Sequence, residues 1–153
     1  MSNTYTQIHI HTVFAVQYRT SLINERWEAE LYKYITGIIE KHEHKMLQIG
    51  GMSDHIHVLI GLRPNQSVSD LMFDIKRSSS LWINKNGYAF GKFKWQEGYS
   101  AFSYGKSQVA QVIKYIHDQK EHHQHKSFRD ENIEFLKKFE IAYDERYVLK
   151  DPE

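Results

Sequence analysis

The 153-residue sequence predicts an α+β domain built on a ferredoxin-like antiparallel sheet with helices on one face. Three observations carry that prediction. Four segments read as strands, the first by its two-residue alternation, and the two segments that interrupt them show helical spacing, giving the order βαββαβ followed by C-terminal helices. No internal repeat, low-complexity tract or linker divides the chain, so residues 1–153 are read as one domain, with a C-terminal helix and tail from about residue 127. With 41% hydrophobic and 25% charged residues, the chain has the balance of a single buried core.

The first strand lies within Thr4 to Tyr18, where Ile8, Ile10, Thr12, Phe14 and Val16 alternate with Gln7, His9, His11, Val13 and Ala15. Asn24 is placed to cap a helix whose apolar residues are Trp27, Leu31, Tyr34, Ile35 and Ile38. "KMLQIGGM" reads as the second strand and "SDHIHVLIGL" as the third, with Gly50 and Gly51 expected to form a tight hairpin connection. Pro64 and Asn65 break the chain. Val68, Leu71, Met72, Ile75 and Leu81 then define a second helix that stops at Gly87. "FKWQEGYSAFSYG" supplies the fourth strand. A helix capped by Ser107 should run to about His123, and "SFRDENIEFLKKFEI" forms a shorter one before a polar tail.

Composition narrows the chemistry. Without cysteine there is no disulfide and no thiolate site, so any metal must be held by nitrogen and oxygen. A net charge of +1 argues against a uniformly basic nucleic-acid binder, although "KFKW" and "DIKRSSS" offer local cationic patches. No apolar run is long enough to span a bilayer, and the polar N-terminus lacks the regions of a signal peptide, so a cytosolic protein is expected. Ten histidines and ten tyrosines stand out as ligands, stacking surfaces and nucleophiles.

His-x-His spacing occurs at His9/His11, His42/His44, His55/His57 and His123/His125. Residues two apart on a strand share a face and can share an ion, which singles out the first and third pairs. The pair at 42 and 44 reads as a solvated helix end favoured by the dipole, and "HHQH" at 122–125 as an exposed one. Spacing alone does not choose between His9/His11 and His55/His57. In "SQVAQVIKYIHDQKEHH", Val109, Val112, Ile113 and Ile116 make the buried stripe. Tyr115 and Gln119 lie one turn apart on an adjoining face, roughly 6 Å from each other. They read either as a surface pair or as two groups facing one object.

Taken together, these segments resemble the small single-tyrosine HUH (His-hydrophobic-His) transposases of the IS-two-hundred/IS-six-hundred-five insertion sequences. "VFAVQYR" looks like the end of the family's first strand, "GGMSDHIHVLI" like its HUH strand and "DIKRSSS" like its helix of lysine and small residues. "WQEGYSAFSYG" is similar to the strand before the nucleophile helix, "VIKYIHDQ" to that helix with Tyr-x-x-x-Gln, and "EFLKKFEIAYDERYV" to the ending. Gln17 departs from the pattern, which has a basic residue before "YR".

The resemblance implies that His55, His57 and Gln119 hold a divalent ion, Mg²⁺ or Mn²⁺, and that Tyr115 is the nucleophile. It implies cleavage and rejoining of single-stranded DNA at element ends through a 5′-phosphotyrosine, with recognition of hairpins, in the cytoplasm and nucleoid of a bacterium or archaeon. It also implies a homodimer in which one subunit's nucleophile helix completes the other's site. Two imidazoles and an amide oxygen with open positions suit such a Lewis acid. No P-loop is present, in keeping with chemistry that needs no nucleotide cofactor. Arg19, Lys76 and Arg77 are the expected phosphate contacts, and Tyr99, Phe102 and Tyr104 stack on bases or pack in the core. Asp54 either orients a ligand histidine or caps a turn. His9/His11 is read as a structural pair on the sheet face, with DNA contact as the alternative. The competing readings are a domesticated relative that binds hairpin DNA without transposing, an RNA-binding module, for which the RNP1 pattern is missing, and a metal-dependent hydrolase indifferent to Tyr115.

Overall fold

In a computed structural model, residues 3–122 and 126–144 are described. Strands β1 (His9–Ala15), β2 (Lys45–Met52), β3 (His55–Gly61) and β4 (Ser100–Tyr104) form one antiparallel sheet in the order β2-β3-β1-β4. Helix α1 (Glu25–Lys41) separates β1 from β2, and α2 (Val68–Asn86) separates β3 from β4. Both helices follow their sequence signals. Asn24 accepts from the Arg26 amide, Ser67 accepts from the Asp70 amide, and Gly87 closes α2 at φ 64°, a left-handed conformation that glycine adopts without strain.

Strand alternation sorts the core into two layers. Phe14, Val16, Ile56, Val58 and Ile60 face α1 and α2, where Trp27, Leu31, Ile35, Ile39, Leu71, Met72, Ile75 and Ile83 complete the larger cluster. Val13, Ala15, Phe102 and Leu59 face the other way. There they meet Val112 and Ile116 of α3 (Val109–His117) and Phe128 and Leu136 of α5 (Phe128–Lys138). Helices therefore cover both faces, and the second face carries the histidines of β1 and β3.

Three expectations are corrected. Gly50 and Gly51 lie inside β2, and the hairpin turns at Ser53–Asp54 instead. A Cβ on Gly50 would stand 2.5 Å from the Ile116 carbonyl oxygen, so this glycine lets α3 lie directly on the sheet. Leu81 is exposed, and the buried face of α2 continues through Ser79 and Ile83. Ser79 is tolerated there because its hydroxyl donates to the Ile75 carbonyl and accepts from the Trp95 indole. The single helix expected from Ser107 to His123 is broken. A short 3-10 turn at Lys106–Gln108 precedes α3, which ends at Asp118, and a separate turn, α4 (Gln119–His122), follows. His123/His125 and the polar tail from residue 145 lie outside the described residues.

Candidate active site

The site is built where β3 meets α3, α4 and α5. His55 and His57 alternate with Ile56 and Val58, so one face of β3 packs the core while the other aims two imidazoles at the second layer; both are buried. The Nε2 of His55 lies 3.2 Å from Gln119 Oε1, and the Nε2 of His57 lies 2.9 Å from Glu131 Oε1. Gln119 in turn donates from Nε2 to Glu131 Oε2 at 3.3 Å. Tyr115 donates its hydroxyl hydrogen to the same carboxylate oxygen, and its ring stands edge-on to the His57 imidazole at 5.8 Å. Sequence reading brought His55, His57, Tyr115 and Gln119 forward, and the fold gathers all four within one chain.

Glu131 is the member that sequence reading missed. It is 2% exposed, and an atom of its carboxylate lies within 4.8 Å of ligand nitrogens from both His55 and His57. Its signal was a carboxylate inside an apolar helical stripe: Phe128, Glu131, Phe135 and Phe139 fall at three- and four-residue intervals. A charge almost never sits on such a face unless it has a partner.

The imidazoles are held from behind. Asp54 Oδ1 lies 2.7 Å from His55 Nδ1; when the carboxylate accepts from that nitrogen, Nε2 carries a lone pair toward the site. Asp54 is anchored by Arg19 at 3.2 Å. Burial alone would raise the Asp54 carboxyl, but the hydrogen bond from His55, with the Arg19 guanidinium, outweighs it and holds the group below the usual carboxylate range. Burial pushes the His55 pKa down against the opposing pull of Asp54, and the net lowering favours the neutral ring that can ligate. On the other side, His11 Nε2 lies 2.8 Å from His57 Nδ1, with the rings stacked at 5.0 Å. Burial, followed by the neighbouring His57, lowers the pKa of His11. His11 is thus buried against His57 and supports it, while His9 is only half-buried.

The other expected contacts are distributed differently. Arg19 is 2% exposed, lies over the Phe128 ring at 4.4 Å and points inward to Asp54. Tyr18 and Arg19 both have left-handed backbones, φ 59° and 57°, and this reversal leaves Tyr18 exposed while turning Arg19 in. Lys76 donates to the carbonyls of Gln96 and Gly98, which fastens the approach to β4 onto α2, and burial lowers its pKa. Arg77 is exposed, but α2 covers the face opposite the histidines. Phe102 is buried, whereas Tyr99 is 38% exposed and Tyr104 half-buried. His44 corrects the solvated reading. It is 3% exposed, accepts from the Arg63 amide at 2.9 Å and faces Gln66 Oε1 at 2.7 Å, while His42 pairs with Asp74 at 3.2 Å.

The donor set fits a divalent cation. Two imidazole nitrogens, an amide oxygen and a carboxylate oxygen converge, and four electron-pair donors at such distances need protons or a cation between them. Without one, Tyr115 stays firmly protonated, because burial and then the Glu131 charge push its pKa well above the usual tyrosine value.

A central strand thus presents His-Ile-His to one point, and a later helix delivers a tyrosine hydroxyl beside it. The chain belongs to the IS200-like transposase family, whose pattern matches residues 4–119, a span that includes Tyr115 and Gln119 but stops short of Glu131. It is 30% identical over 129 residues to the transposases for insertion sequence element IS200 of Salmonella typhimurium and Salmonella typhi, covering 79% of this chain and 82% of each relative. Among solved structures, it is similar to a candidate transposase from Deinococcus radiodurans, with TM-score 0.61, 18% identity, 78% of this chain and 95% of that one. A REP-associated tyrosine transposase bound to a REP hairpin aligns with TM-score 0.57 and 13% identity, covering 77% of this chain and 70% of that one. At these identities the two structures bear on the fold alone.

Proposed function

We propose that this transposase cleaves and rejoins single-stranded DNA at hairpin-bearing element ends, with Tyr115 as nucleophile and His55, His57, Gln119 and Glu131 as the holders of Mg²⁺ or Mn²⁺. The observation that carries this reading is the hydrogen-bonded cluster joining the Tyr115 hydroxyl, Glu131, Gln119 and both imidazoles on one buried face of the sheet. A divalent ion held there supplies Lewis-acid polarisation of a phosphate oxygen.

The chain's own residues do the rest. Asp54 and His11 fix the two imidazoles from their far sides. Glu131 fixes the phenol oxygen beside them and gives its proton an acceptor. Attack by Tyr115 Oη on phosphorus breaks the bond to the 3′ oxygen, leaving a 5′-phosphotyrosine and, once that oxygen takes a proton, a free 3′-OH. Return of a 3′-OH reverses the exchange, so phosphodiester energy is conserved and no nucleotide is consumed. Within this one chain Tyr115 lies against its own His57; in the homodimer we propose, α3 of one subunit would be seated at the histidines of the other.

The test is to incubate the protein with labelled single-stranded hairpins from the flanks of its own gene and Mg²⁺ or Mn²⁺. A denaturation-resistant protein–DNA adduct should form and vanish in Tyr115→Phe. Hairpin binding with no adduct under either metal would defeat this reading and point to a binding-only relative.

A further inference from the structure

Residues of α3, α5 and the end of β4, Tyr115 among them, line a pocket of about 330 Å³. Its walls come from Tyr104, Gln108, Gln111, Tyr115, Glu131 and Phe135. Building on the proposed strand cleavage, we propose that this pocket receives a single extruded nucleobase next to the scissile phosphate and favours one with an exocyclic amino group over thymine.

Size, place and chemistry support this together. The volume lies at the small end of ligand sites, typically ~300–1,000 Å³, and suits one base rather than a duplex. Tyr115 and Glu131 belong both to the pocket and to the candidate active site, so a strand whose phosphate meets Tyr115 passes the pocket mouth with its adjoining nucleotide. Tyr104 and Phe135 offer aromatic surface on which an unstacked base recovers stacking. Phe135 is itself braced, stacked on Phe102 at 5.0 Å and edge-on to Tyr115 at 5.6 Å.

The polar groups suit a base edge better than a phosphate. Glu134, paired to Lys126, brings an exposed carboxylate to the lining, whereas the Glu131 oxygens are taken up by His57, Tyr115 and Gln119; Lys138 is the cation among the lining residues. Carboxylates accept from an exocyclic amine, and a glutamine amide can donate and accept at once along a base edge. Gln108 spends its carbonyl on the Gly105 amide at 3.1 Å, which directs its amide nitrogen elsewhere. Gln111 is exposed at the rim.

The experiment uses the full chain and hairpin substrates that vary the base on each side of the scissile phosphate, including an abasic site. Wild-type protein should form the Tyr115 adduct about tenfold more slowly with thymine or an abasic site at one flanking position than with adenine or cytosine. Gln111→Leu should compress the preference at that position and at no other. In parallel, 2-aminopurine placed there should be quenched on binding to Tyr115→Phe protein. Adduct formation with unchanged base preference in Gln111→Leu and Gln108→Leu, and no quenching at either flank, would overturn the pocket while leaving the transposase reading intact. If no substrate gives an adduct, the transposase reading fails instead, and the quenching measurement still decides the pocket.

Discussion

Single side chains carry separable tasks in the candidate site. His11 touches no proposed reacting atom, yet it is the partner of His57 Nδ1, and removing such a support typically costs 10–100-fold in metal affinity. His11→Phe should therefore weaken Mn²⁺ binding by about 10-fold or more in calorimetric titration, with the circular dichroism spectrum unchanged; unaltered affinity would make His11 mere packing. Glu131→Gln keeps the shape but removes the charge that receives the Tyr115 hydrogen bond. Adduct formation should fall by about 10²-fold. Hairpin affinity should stay near wild type, and an equal loss of both would instead indicate a folding defect.

At the level of elements, the placement of α3 decides whether Tyr115 reaches the site at all. The helix lies on β2 because Gly50 has no side chain, and Val112 and Ile116 seal it against Leu59. Gly50→Ala sets a methyl group against the backbone oxygen of Ile116, a clash no side-chain rotation relieves. The variant should lose about 1–3 kcal/mol in urea unfolding and form less adduct. Full stability and full activity would mean that α3 shifts freely. The break at Asp118 has a role too: α3 carries Tyr115 while α4 begins at Gln119, so a change of helical path separates nucleophile and amide.

For the whole molecule, the question is whether one chain suffices. Tyr115, Gln119 and Glu131 all pack against histidines of the same chain. Mixing Tyr115→Phe with His57→Ala chains should restore some cleavage if sites are shared in the homodimer that the family resemblance implies. Mixed dimers as inactive as either parent, with subunit exchange verified, would show that each chain acts alone.

The strand alternation, the caps at Asn24 and Ser67, the left-handed stop at Gly87 and the βαββαβ order were all legible in the sequence, since each depends on neighbours a few residues apart. His-Ile-His on β3 and Tyr115 with Gln119 were legible for the same reason, and the resemblance joined them. Two glycines in "QIGGM" misled, because a glycine permits a turn and a close helix approach alike, and only the position of α3 distinguishes them. That His11 supports His57 and Arg19 turns inward to Asp54 emerges only when β3 and its turn lie beside β1, and Glu131 is 74 residues from the histidine it touches. Local residue patterns thus set which elements form and which residue types can do the chemistry. The tertiary structure decided which of those residues meet, because burying both faces of one sheet brings a strand, two helices and a helical turn to a common point.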